Sequence, residues 1–129
     1  MKQLNTYAPT TLRLVLGLLF IVPGISKLLN PSGIIGMLRG IGFPVPNAVG
    51  WIVLLSEIIF GLAILVGYQV KYTVWPLIIV LLVAIVTVHL PGLAANPMGI
   101  INVLFHLLGI AALLSVYLTG AGALAIDKH

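Results

Sequence analysis

The chain has no cysteine, which excludes disulfides, iron–sulfur ligation and any thiol-based redox relay within it. Electron transfer, if any, would need a bound cofactor or a partner. Charge is also scarce: Lys and Arg number 6 and Asp and Glu only 2 in 129 residues. The six cations are scattered among apolar stretches and form no stripe, so nucleic acid is excluded as a partner. Apolar side chains are plentiful. Hydrophobic residues make up 61% of the chain and the mean hydropathy is +1.27, a balance that suits the lipid bilayer and not water.

Four runs are long enough to cross about 30 Å of hydrocarbon at about 1.5 Å per residue: Thr11 to Leu29, Ala48 to Gly67, Thr73 to Leu90 and Ile100 to Leu118. The predicted fold class is an all-α membrane protein, a single four-transmembrane-helix bundle occupying residues 1–129. Lys2 before the first run resembles the start of a signal peptide. The run is too long for such an apolar core and lacks a small-x-small exit before Asn30, so it is read as a retained helix. Between the first two spans, Ile34 to Ile41 is apolar but short and is bounded by Asn30-Pro31-Ser32-Gly33 and by Pro44 and Pro46. That pattern predicts a short interfacial helix. Tyr68 to Tyr72 is a tight connection that makes the second and third spans antiparallel neighbours, and the small-residue tail Thr119 to Ala125 is expected to be a loose end.

With four spans both termini share one side, which carries Lys2, Arg13, Lys71 and Lys128 against Lys27 and Arg39 on the other. The positive-inside rule then predicts a multi-pass protein of the cell membrane with both termini cytoplasmic.

Glu57 is the one acidic residue before the C-terminal end, and it lies mid-span. A carboxylate at that depth must be paired, protonated or beside a wet cavity. Helical spacing puts Arg13, Gly17, Phe20, Gly24 and Lys27 on one face of the first helix, and Gly50, Leu54, Glu57 and Gly61 on one face of the second. If these seams face each other, Glu57 lies between Arg13 and Lys27, each about 10 Å away along the axis. Asn102, His106, Gly109 and Leu113 make a seam on the fourth helix, and His89 ends the third. Lys27, His89, Asn102 and His106 thus converge on the outer side of Glu57.

Each of these residues also has a structural explanation. Glu57 can fix helix registry through an ion pair, Arg13 and Lys27 can snorkel to headgroups, and Asn102 and His106 can tie helices together. His89 and His106 can in principle ligate haem, or a metal together with Glu57. They are expected to differ in depth by about 9 to 10 Å, so no metal site is assigned.

The residues match a known family pattern. The stretch Arg13 to Leu28, with its arginine, its Gly17 and Phe20 and its Gly24-Ile25-Ser26-Lys27-Leu28 ending, resembles the opening of DoxX family membrane proteins. The loop Gly42-Phe43-Pro44-Val45-Pro46 and the E-x-x-x-G-x-x-x-x-x-G run from Glu57 to Gly67 continue the likeness, and His89 and Asn102 fall near a histidine and an asparagine common in the later helices.

Relatives in that family include the membrane subunit of a thiosulfate:quinone oxidoreductase. The resemblance therefore implies an oxidoreductase subunit that meets quinone in the membrane and receives electrons from a redox partner protein. By that resemblance Arg13, Lys27, Glu57 and Asn102 would be the shared polar core. At a quinone site Lys27, His106 and Asn102 could donate hydrogen bonds and Glu57 could relay protons, which makes Glu57 and Lys27 the candidate catalytic residues and Arg13, Asn102, His106 and His89 the candidate ligand-binding ones. Two other classes remain open: a proton-coupled carrier of a small solute, which would need assembly as a homo-oligomer, and a non-catalytic membrane scaffold or assembly factor.

Overall fold

The computed structural model describes residues 2–127, with side chains from residue 4 onward. Lys128 and the side chain of Lys2, two of the cations assigned to the cytoplasmic side, lie outside the described residues. Four helices are long and apolar enough to cross a membrane: Tyr7–Leu29, Pro46–Val66, Val70–Gly92 and Pro97–Thr119. They are called the first to fourth spans below. A short helix, Pro31–Gly40, sits between the first two, as the proline punctuation predicts.

The spans pack in a ring, each against its sequence neighbours, with the fourth closing onto the first. Short connections make consecutive spans antiparallel. Both described chain ends and the turn at residues 67–69 therefore lie at one end of the bundle, the termini end. The short helix and the loop at residues 93–96 lie at the other, the loop end. Proline marks helix starts where its missing N–H costs nothing: Pro31, Pro46 and Pro97 each stand in the first turn of their helices. The second span stops at Gly67, whose left-handed φ of 72° lets the Gly67 and Tyr68 N–H groups bond back to the Ile64 and Ala63 carbonyls.

The main core lies toward the termini end, where Leu16, Phe20, Ile64, Leu77, Leu113 and Val116 are buried together. A smaller cluster of Ile34, Leu38 and Leu54 seats the short helix on the second span. Outward faces carry Leu14, Leu18, Val22, Ile52 and Ile59, apolar surface that only lipid can cover without cost.

Two features differ from the sequence expectation. The third span runs on to Gly92 and contains a π-helical turn, Ile85–His89, in which an extra residue per turn changes the direction of the following side chains. The tail after Thr119 is not loose. Ala121 is fully buried in the main core, because small residues there let the backbone fold back under the helix ends.

Candidate functional site

The two predicted seams face each other. Arg13, Gly17, Phe20 and Gly24 are all buried on the first span, as are Gly50, Leu54, Glu57 and Gly61 on the second. The backbones come close where a glycine on one helix meets a side chain on the other. A Cβ on Gly17 would meet Leu65, one on Gly61 would meet Phe20, and one on Gly24 would sit 2.7 Å from Ile58 Cγ1 and 3.2 Å from Glu57 Cβ. Small residues of this kind are the usual means of close helix packing in lipid.

At the loop end of this seam Lys27 Nζ donates to Glu57 Oε1 at 2.5 Å. The Glu57 side chain is 6% exposed and that of Lys27 30%, so the buried carboxylate is linked through the lysine to the edge of the bundle. The second carboxylate oxygen has no hydrogen-bond partner among the described residues. It is also not sealed, because no fully buried side-chain oxygen or nitrogen there lacks a partner. The pair is thus open on one side.

His106 lies close enough to Glu57 to act on it electrostatically. Its Nδ1 is 2.7 Å from the Asn102 carbonyl, one turn back. A carbonyl only accepts, so Nδ1 carries the hydrogen, and in the neutral ring Nε2 is left as the acceptor. The His89 and His106 rings touch, with centroids 4.2 Å apart and planes tilted by 52°. The expected depth difference between them does not hold. The third span continues past His89 and its π-helical turn ends at that residue, so counting the axial rise of straight helices misplaced the ring. Asn102 does not join the group through its side chain. It shares a helical face with Gly109 and Leu113 but stands near the start of its helix, where it is exposed.

Arg13 does not share the Glu57 carboxylate either. It is fully buried at the termini end, where its guanidinium donates to five backbone carbonyls: Ala121 at 2.7 Å, Leu65 at 2.8 Å, Ala123 at 2.8 Å, Leu124 at 3.0 Å and Ile64 at 3.4 Å. Ile64 and Leu65 lie in the last turn of the second span, where helix carbonyls carry partial negative charge; the other three carbonyls come from the tail, whose Asp127 also attracts the guanidinium.

Two surface hollows, of about 450 and 370 Å³, also lie at the termini end, beside Asp127, and not at the Lys27–Glu57 pair. No group of three or more His, Cys, Asp or Glu side chains among the described residues is placed to hold a metal ion.

A DoxX family model matches residues 8–90. The chain belongs to the DoxX family. No curated protein and no solved structure matches it. In this DoxX protein the match covers Arg13, Lys27, Glu57 and His89, while Asn102, His106 and the tail lie beyond it. Together with the four apolar helices, family membership makes the chain a multi-pass membrane protein.

Sequence reasoning missed the tail. Asp127 accepts from the Gln69 N–H at 2.6 Å and the Val70 N–H at 3.0 Å, capping the third span from a distant part of the chain. The available signal was that Asp127 is the only acidic residue besides Glu57.

Proposed function

We propose that this DoxX protein is a quinone-interacting membrane subunit of a redox complex, with Lys27 and Glu57 as its polar site and both termini in the cytoplasm. One observation carries this reading: a buried carboxylate is joined at 2.5 Å to a lysine that reaches the bundle edge. A quinone arriving through the lipid would meet the Lys27 ammonium first and accept its hydrogen bond at a carbonyl oxygen.

Reduction of a quinone to a quinol takes two electrons and two protons. With cysteine absent, the electrons would come from a partner protein. The protons would pass through Lys27 to the quinone oxygens, with Glu57 holding the lysine in place and exchanging protons through its open oxygen. His106, with Nε2 as the free acceptor of its neutral ring, would return protons to the pair. Lys27 is 30% exposed, so the site opens at the edge of the bundle. The quinone would therefore be held partly by lipid-facing side chains.

A second reading is favoured by the pairing itself: among the described residues no fully buried side-chain polar atom lacks a partner, so the ion pair also suits a lock on helix registry in a scaffold protein. Photolabelling in membrane vesicles with an azido-quinone separates the two. The quinone reading expects label in the peptide around Lys27, competed by unmodified quinone and lost in Lys27→Met. Label that is absent, or unchanged in a folded Lys27→Met protein, supports the scaffold.

A further inference from the structure

We propose that residues 120–127 form a strap that seals the termini end of the seam between the first and second spans, closing the route to Glu57 from that side. This inference concerns the fold around the seam and does not depend on the quinone reading.

The strap is fixed along its whole length. Ala121 and Ala123 carbonyls accept from Arg13, the Ala123 N–H donates to the Thr6 carbonyl at 2.9 Å, and Thr10 Oγ1 donates to the Ala123 carbonyl at 2.6 Å. The Ile126 and Asp127 N–H groups donate to the Val66 and Gly67 carbonyls at 3.0 and 2.9 Å, and the Asp127 carboxylate caps the third span. Residues 120–127 thus bind the first span, the end of the second and the start of the third at once.

Arg13 is the clamp. It takes carbonyls from both the second span and the strap, and with those filled it is fully buried. Without the strap, three of its five acceptors go. A guanidinium left with that deficit must recruit water into the seam, because an unsatisfied buried donor is costly. On the inner side of the clamp the bundle is buried and apolar: Phe20 in the seam and Leu16 beside it in the main core are each 3% exposed. The strap and Arg13 therefore stand between the aqueous phase at the termini end and the face that leads to Glu57. At the opposite end the short helix packs against the second span at Gly50 and Leu54, and Lys27 stands partly exposed beside Glu57.

Gly122 gives a way to unseat the strap in the full-length chain. It has a φ of 74° and packs so tightly that a Cβ would run into the Thr6 carbonyl and the Pro9 ring. Gly122→Val is disfavoured both by backbone conformation and by space.

The absence of cysteine makes the test direct. Leu16→Cys is introduced as the only thiol, and labelling by a membrane-impermeant charged maleimide is followed in nanodiscs. The thiol is expected to be unreactive in the otherwise unaltered chain and to label about tenfold faster or more with Gly122→Val, because the labelling rate follows the open fraction. A chain truncated after Thr119 is expected to label at least as fast. Rapid labelling with the strap in place would overturn the proposal, as would a Gly122→Val protein that keeps its helical content and elution volume yet stays unreactive. If the truncated chain does not fold, the Gly122→Val result alone decides.

Discussion

Lys27 and Glu57 meet at 2.5 Å where Gly24 brings the first and second spans close together. A lysine from the end of one helix thereby reaches a carboxylate near the middle of its neighbour. Two consequences concern the pair itself.

The first is asymmetry. Lys27→Met leaves the nearly buried carboxylate without its cation and is expected to destabilise the protein by about 3 kcal/mol, the usual cost of breaking a buried pair from one side. Glu57→Gln leaves a lysine that can extend to the bundle edge, and is expected to cost about 1 kcal/mol. The double variant Lys27→Met/Glu57→Gln should recover most of the loss. Unfolding of the four proteins in detergent, treated as a double-mutant cycle, measures this coupling.

The second is that the pair depends on the glycine. Gly24→Val places side-chain atoms where Ile58 and Glu57 already sit. Forcing the helices apart is expected to cost about 1 to 3 kcal/mol. Gly36→Ala on the short helix, where a Cβ meets nothing within 4 Å, is the matched control and should leave the melting temperature unchanged or slightly raised.

Arg13 should tolerate lysine poorly. A planar guanidinium serves five carbonyls from fixed directions, and an ammonium has three donors at one point. Arg13→Lys is expected to lose about 2 kcal/mol, in the range for hydrogen bonds to a charged group. In a chain truncated after Thr119 the same substitution should cost much less, since the strap acceptors are already gone. Equal losses in the two backgrounds would mean that Arg13 does not hold the strap.

Much of the site could be read from the sequence. The two seams were legible because side-chain direction in a helix follows from spacing alone. Arg13, Gly17, Phe20, Gly24 and Lys27 had to share a face, as did Gly50, Leu54, Glu57 and Gly61, and all but the partly exposed Lys27 are buried. What spacing cannot give is a partner that every residue possesses. The acceptors of Arg13 are backbone carbonyls, which leave no mark in the sequence, and the strap that supplies three of them begins with small residues, Gly120 to Ala123, that look like a loose end. His89 was misplaced for another reason: its π-helical turn breaks the uniform rise assumed in counting depth, and no proline or glycine in Ile85–His89 announces it.

The histidines allow a spectroscopic check. ¹⁵N-histidine NMR in bilayers should find the neutral His106 ring with its hydrogen on Nδ1, as the Asn102 carbonyl requires. Deleting Val86 from the π-helical turn should turn His89 away and remove the ring contact with His106, seen as loss of the through-space coupling between the two rings.

The central claim is that one carboxylate is held between two membrane helices by the lysine opposite. Glu57 is the only glutamate in the chain, so ¹³Cδ-glutamate gives a single carboxyl signal that can be recoupled to ¹⁵Nζ-lysine in bilayers by solid-state NMR. Strong dephasing of that signal, at the carbon–nitrogen separation set by a 2.5 Å nitrogen–oxygen contact and abolished by Lys27→Met, is the predicted result. A glutamate signal that no lysine dephases in the folded, bilayer-embedded protein would contradict it.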